Sequence, residues 1–212
     1  MKLLKLYQQF LRHYGPQGWW PVSSRNKNGE AALFEICVGA ILTQNAAWTN
    51  VEKALGSLRH KKLLSARAIN QTKPLVLGQV IKSSGYWRQK TKKLKIFSAF
   101  LLKNYRGSLK KMFRRPLEEL RGELLALWGI GPETADSMLL YAGQRPVFVI
   151  DAYTKRLCQK YGVCFKTYLD YQKFFERQLS KIQGRAKVKL FNEFHALIVR
   201  WGKNNSNVKS FK

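Results

Sequence analysis

An all-α fold is predicted for this 212-residue chain by three observations. Apolar residues recur at spacings of three and four along most of its length, the breaks between those stretches carry Gly, Pro, Ser and Asn, and only VFVI at 147–150 reads as extended. One isolated four-residue run cannot make a sheet, so antiparallel helices joined by short loops are expected.

Taken in order, the first predicted helix, 2–14, is amphipathic and interrupted by charge, and the stretch PQGWWPVSSRNKNG (16–29) is a non-helical connector. A second helix over 30–45 is almost wholly apolar and ends in LTQN. Helical spacing then predicts 48–58, 74–83, 87–104, 117–127 and 133–142, the last two separated by a glycine turn. Beyond the extended run, helices are predicted over 151–161, 168–180 and 187–201.

Composition narrows the partner. The 39 Lys and Arg against 12 Asp and Glu give a net charge of +27, while 45% hydrophobic and 13% aromatic residues supply a core, so this is not a disordered basic tail. Between Glu52 and Glu118 there is no acidic residue, yet eighteen Lys and Arg. Like charge of that density repels itself unless a polyanion accompanies it, which points to nucleic acid or an anionic membrane surface. The basic residues spread over several helices rather than one amphipathic face, so the membrane ranks last. With no apolar run of about 18 residues and no cleavable leader pattern, the protein is expected to be soluble and cytoplasmic.

The residues also exclude chemistries. Cys37, Cys158 and Cys164 are too few for four thiolate ligands and are expected to be reduced structural thiols; His13, His60 and His195 stand apart, so no metal site built from side chains is expected. No phosphate loop of the GxxxxGK[ST] kind occurs. His195 and Glu193, in FNEFHALIVRWG, are expected to be satisfied structural polar groups.

The sharpest pattern is LWGIGPETA (127–135). Gly129 and Gly131 around Ile130 permit a tight turn with main chain exposed, Ile130 would pin the turn to the core, and Pro132 suits the first helical position. Open N–H groups at such a start would hold a DNA phosphate, the alternative being an ordinary helix–turn–helix corner. Twenty residues beyond Gly131, Asp151 ends the apolar run and opens a helix, so it is either an N-cap or a carboxylate presented at a cleft.

Together LTQN, SGYWRQKTKKL (84–94), LWGIGPETA and VIDAYTKR (149–156) resemble the helix-hairpin-helix DNA glycosylases of the endonuclease III superfamily. The resemblance implies two helical lobes with a cleft for DNA and base between them. One lobe, of six helices, would cover 30–145 and hold the hairpin; the other would combine 1–29 with 146–212. It implies that Asp151 is catalytic, that Gln44 enters the DNA near the lesion, and that the hairpin grips phosphate, with a monovalent cation possible on its carbonyls. Residues assigned to DNA are Gln44, Asn45, Gly129, Ile130, Gly131, Glu133, Thr134, Arg88, Lys90, Lys92, Lys93 and Arg156.

Departures from the pattern narrow the activity. Relatives that also cut the backbone carry Lys where this chain has Glu133, and a Schiff base needs an amine. Adenine-excising relatives carry a Glu where this chain has Gly39. Without that acid the enzyme suits a base that departs readily, such as cationic 3-methyladenine, which stacks well on aromatic rings. Trp19, Trp20, Pro21 and Trp48 match the base pocket of the short bacterial 3-methyladenine glycosylases that lack an iron–sulfur cluster. The expectation is a monomeric, monofunctional glycosylase without AP-lyase activity and with no required cofactor. It would act on double-stranded DNA with a damaged base, at the bacterial nucleoid. The alternatives are a glycosylase for mismatched thymine or oxidised pyrimidine, and a non-catalytic DNA-binding protein.

Overall fold

A computed structural model of the chain describes residues 1–23 and 29–205, so residues 24–28 of the predicted connector and 206–212 of the predicted second lobe lie outside it. Along the chain run α1 (Leu3–Tyr14), α2 (Glu30–Leu42), α3 (Trp48–His60), α4 (Ala66–Gln71), α5 (Pro74–Val80), a 3₁₀ turn (Lys82–Ser84), α6 (Trp87–Tyr105), α7 (Leu109–Met112), α8 (Leu117–Leu125), α9 (Pro132–Ser137), a π-helical turn (Met138–Ala142), α10 (Ala152–Lys160), α11 (Tyr168–Gln178) and α12 (Gly184–Asn204). No strand occurs among the described residues, as the all-α prediction requires.

The departures from the sequence prediction have local causes. The predicted 30–45 helix stops at Leu42, where the Thr43 N–H and hydroxyl both donate to the Gly39 carbonyl and Asn45 turns into the left-handed region at φ 50°. Helices α4 and α7, of six and four residues, are too short to register as a period. Each is announced instead by a serine N-cap: Ser65 Oγ accepts from the Ala68 N–H and Ser108 Oγ from the Lys111 N–H.

The VFVI run is extended without a partner strand, and side chains of α11 satisfy its backbone. The Phe148 N–H donates to Glu176, the Ile150 N–H to the Tyr168 hydroxyl, and the Phe148 carbonyl accepts from the Gln172 amide. Hydrogen-bonding groups that would otherwise demand a sheet are thus used locally, and Asp151 is delivered directly after a buried segment.

The chain divides into two units. Val22–Gly143 forms one, and Met1–Pro21 with Gln144–Lys212 the other. In the first, α2 is buried from Ala32 to Leu42, as its all-round apolar sequence demands. Its one buried charge there, Glu35, accepts from Arg59 Nη1 at 2.6 Å and from the Ser23 hydroxyl at 2.8 Å. The terminal unit is organised by aromatic packing. Phe148 stacks on Phe175 at 4.4 Å, Tyr7 meets Phe194 edge-on at 5.6 Å, and Phe10 lies along Trp201 at 6.2 Å.

In that unit α12 approaches α10 so closely that a Cβ on Gly202 would lie 2.0 Å from Tyr153 Cδ1 and 2.9 Å from its Cβ. Gly202→Ala would gain up to about 1 kcal/mol of helix propensity, but overpacking typically costs about 1–3 kcal/mol. The expected outcome is net destabilisation, measured as a lowered denaturant midpoint.

Candidate active site and hairpin

Asp151 is buried, caps α10 with one carboxylate oxygen and turns the other toward His195. Its Oδ1 accepts from the Thr154 N–H at 2.7 Å and the Thr154 hydroxyl at 2.8 Å, closing the start of α10. Its Oδ2 lies 3.7 Å from His195 Nε2 of α12. Burial works to raise the Asp151 pKa, but His195 and the two Thr154 donors outweigh it and hold the carboxyl below its ordinary range. The side chain is therefore an anion in a nearly dry place.

His195, expected to be a satisfied structural polar group, is buried and faces this carboxylate. Forty-four residues separate the two, and no spacing rule links them. Glu193 does serve structure, accepting from the Gln17 and Gly18 N–H groups just before the tryptophan pair. Of the residues assigned to the base, Trp20 is buried, Trp19 half-buried and Pro21 exposed. The two indoles pack edge to face at 5.8 Å. Trp19 also lines a groove of about 680 Å³ with Tyr7, Leu11, Pro16 and Leu190. Arg156 is exposed, its guanidinium 4.6 Å from the Tyr153 ring.

The hairpin belongs to the other unit. Gly129 takes φ 82°, a left-handed conformation that residues with a Cβ rarely adopt, and Pro132 starts α9. The legs are braced by a bidentate pair, Arg121 Nε to Asp136 Oδ1 at 2.7 Å and Nη2 to Oδ2 at 3.1 Å, with Asp136 fully buried. Ile130 is buried and its N–H donates to the Leu127 carbonyl at 3.0 Å, while Gly129 and Glu133 are exposed and Gly131 half-exposed.

Gln44 is fastened to this turn. Its Nε2 donates to Thr134 Oγ1 at 2.8 Å and to the Gly129 carbonyl at 3.1 Å, and its Oε1 accepts from Lys93 Nζ. LTQN, the hairpin and α6 therefore form one hydrogen-bonded cluster. Thr134, assigned to DNA, is buried and spends its hydroxyl here. Asn45 projects beside the cluster, and half-buried Trp48 opens α3. Lys92 is exposed with its ammonium 4.1 Å from the Trp128 ring, and exposed Arg88 lies 4.5 Å from Trp87.

One assigned DNA residue is corrected. Lys90 is 1% exposed, and its ammonium donates to the carbonyls of Leu42 at 2.8 Å and Ser84 at 2.5 Å. It ties off the end of α2 and the 3₁₀ turn instead of meeting phosphate. Burial, with Lys93 nearby, lowers its pKa to about 8. Tyr86, by contrast, is 67% exposed with φ 45°, at the start of the basic helix α6. Its signal was available in the SGYW motif, but exposure is decided by packing.

Of the thiols, Cys37 and Cys158 are buried, which pushes Cys158 up to about 12, whereas Cys164 is exposed and so does not pack as expected. Among the described residues no cluster of three or more His, Cys, Asp or Glu could hold a metal ion, and no helix is long and apolar enough to cross a membrane.

One unit thus carries a capped carboxylate after a buried run, and the other a glycine hairpin beside a basic helix. Residues 38–183 match the HhH-GPD superfamily of base excision DNA repair proteins, and the chain belongs to that family. It is 39% identical over 201 residues to a Methanocaldococcus jannaschii protein named "Putative DNA repair glycosylase", covering 93% of this chain and 85% of the relative. Endonuclease III of Thermotoga maritima is 27% identical over 133 residues, covering 63% and 58%. Among solved structures, H. pylori 3-methyladenine DNA glycosylase bound to 1,N6-ethenoadenine superposes with a TM-score of 0.82 at 26% identity, covering 97% of this chain and 99% of that one. A thermostable thymine-DNA glycosylase shares the fold, with a TM-score of 0.74 at 16% identity, 99% and 89% covered. The chain is a DNA glycosylase of base excision repair.

The buried Lys90 gives this unit a pH signature. Between pH 8 and the ordinary lysine value of 10.5 the folded state has released a proton that the unfolded chain keeps, so Lys90 adds stability as pH rises through that window. Lys90→Met should be less stable than the parent, because it leaves two carbonyls unpaired. It should also lose that rise, which denaturant unfolding from pH 7 to 10.5 would reveal.

Proposed function

We propose that this enzyme is a monofunctional, monomeric glycosylase that releases alkylated purines such as 3-methyladenine from duplex DNA. The observation that carries the reading is the Asp151 carboxylate, held ionised with one oxygen committed to Thr154 and the other turned toward His195. As the glycosidic bond breaks, its electron pair leaves with the base and positive charge develops on the sugar. A fixed anion in a low-dielectric site stabilises that charge, and the same carboxylate accepts the proton of the water that adds to the sugar. His195 keeps the carboxylate oriented and charged.

The substrate class is supported by what the chain lacks and by what it resembles. Gly39 provides no acid for a poor leaving group, so a base already carrying positive charge is favoured, and an aromatic such as Trp48 or Trp20 attracts it. The H. pylori enzyme named for 3-methyladenine is similar over nearly the whole chain. Glu133 stands where strand-cleaving relatives carry an amine, so no Schiff base forms there.

No iron–sulfur cluster enters this reading, since three cysteines cannot supply four thiolates. A monovalent cation, if bound, would be held by hairpin carbonyls. Gly129's oxygen fits this, because it accepts the Gln44 amide with one lone pair and keeps a second.

The test is chromatographic identification of bases released from alkylated, deaminated and oxidised DNA. Release of 3-methyladenine should fall by at least about 100-fold in Asp151→Asn, while duplex binding persists, because Asn also caps the helix. In the parent, release should persist below the ordinary carboxylate pKa of 3.8 and fail only as pH drops through the lowered Asp151 value. Trp48→Ala should slow release by about 10-fold or more. Release of thymine or oxidised pyrimidine in place of methylated purine would refute the substrate assignment.

A further inference from the structure

We propose that Trp128 and Lys92 form a paired DNA contact at the hairpin tip, in which the indole holds the ammonium where it meets the phosphate backbone. The inference rests on the DNA-binding part of the function proposed above. Trp128 directly precedes Gly129 and is 48% exposed, an unusual place for so large an apolar surface. The Lys92 ammonium lies 4.1 Å from the centre of its ring.

The geometry of α6 explains why two consecutive lysines both reach the hairpin. Successive helical residues point about 100° apart, so Lys92 and Lys93 leave α6 in different directions. Lys93 passes across Gly129, where a Cβ would come within 2.5 Å of its Cε, and ends on Gln44 Oε1. Lys92 is met by Trp128.

The charges show what this arrangement is for. Glu133, in the first turn of α9, has the wrong sign for a phosphate approaching the turn. Lys93 donates one of its N–H groups to Gln44, and its pKa is lowered by burial. Lys92 is an exposed cation beside Trp128, and an exposed lysine is ordinarily a freely rotating one. The ring restricts it, so less rotamer freedom is lost on binding. The exposed indole edge then offers an apolar surface to a deoxyribose. The partner is therefore the sugar–phosphate backbone of duplex DNA, read without regard to sequence.

Fluorescence anisotropy with a duplex carrying a tetrahydrofuran abasic analogue, titrated between about 50 and 200 mM salt, tests this. Lys92→Gln should reduce the log–log salt slope by about 0.9, the loss of one phosphate contact. Trp128→Leu removes no charge, yet it should also flatten the slope and weaken binding by about threefold or more. The double variant should be no flatter than Lys92→Gln, and Trp128→Phe, which keeps an aromatic face, should restore most of the slope. A parental slope in folded Trp128→Leu, or effects of the two substitutions that add in full, would overturn the pairing. The base-release assay separates the two proposals. Shifted slopes without purine release leave this pair standing and remove the alkyl-purine assignment, whereas release with unshifted slopes does the reverse.

Discussion

The hairpin unit is built around a buried charge and the cation that meets it. Asp136 is fully buried on α9, and the bidentate grip of Arg121 on α8 is what makes its ionised form tolerable there. Removing one partner of such a pair typically costs about 3–5 kcal/mol, because the other is left charged and dry. That penalty keeps α8 and α9 at a single angle, and the angle sets the place of everything at the tip. Thr134 and Gly129 hold Gln44, Gln44 holds Lys93, and Trp128 is turned out to meet Lys92. A pair that contributes little net stability can in this way contribute geometry.

Asp151 shows the same economy in the terminal unit. Capping and catalysis are usually weighed as competing explanations of an acidic residue at a helix start, but a carboxylate has two oxygens. Here Oδ1 terminates α10 and Oδ2 faces His195, so the cap fixes the rotamer that presents the second oxygen. The donors that orient the group also keep it charged against the effect of burial. Capping the helix and orienting the carboxylate are then one arrangement, and the buried extended run before it, bonded to side chains of α11, precedes the start of the helix.

The net charge of +27 is a statement about a partner and says nothing about which cation meets it. Lys90, Lys92 and Lys93 lie within four residues on α6 and serve three purposes: one is buried under two carbonyls, one lies on an indole, one is bonded to Gln44. Their separation follows from the helical turn and from what packs against each face. A composition count treats them alike.

The amino-acid order alone determined the all-α class, the glycine turn and the position of Asp151 at a helix start, because periodicity, left-handed backbone and capping are all settled within a few residues. It also carried the family pattern, through motifs that are contiguous in the chain. It left α4 and α7 unseen, since helices of six and four residues show no period, and it carried the helix of LTQN too far, since Asn45 leaves the helical region only after Gly39 has taken the last bond. Tertiary structure decided what depends on residues distant in the chain: that His195 faces Asp151, that Lys90 is core, that Gln44 is bound to the hairpin and that Arg121 finds Asp136. Those outcomes rest on burial and on which donor lies within about 3 Å of which acceptor, and neither is a property of a sequence interval.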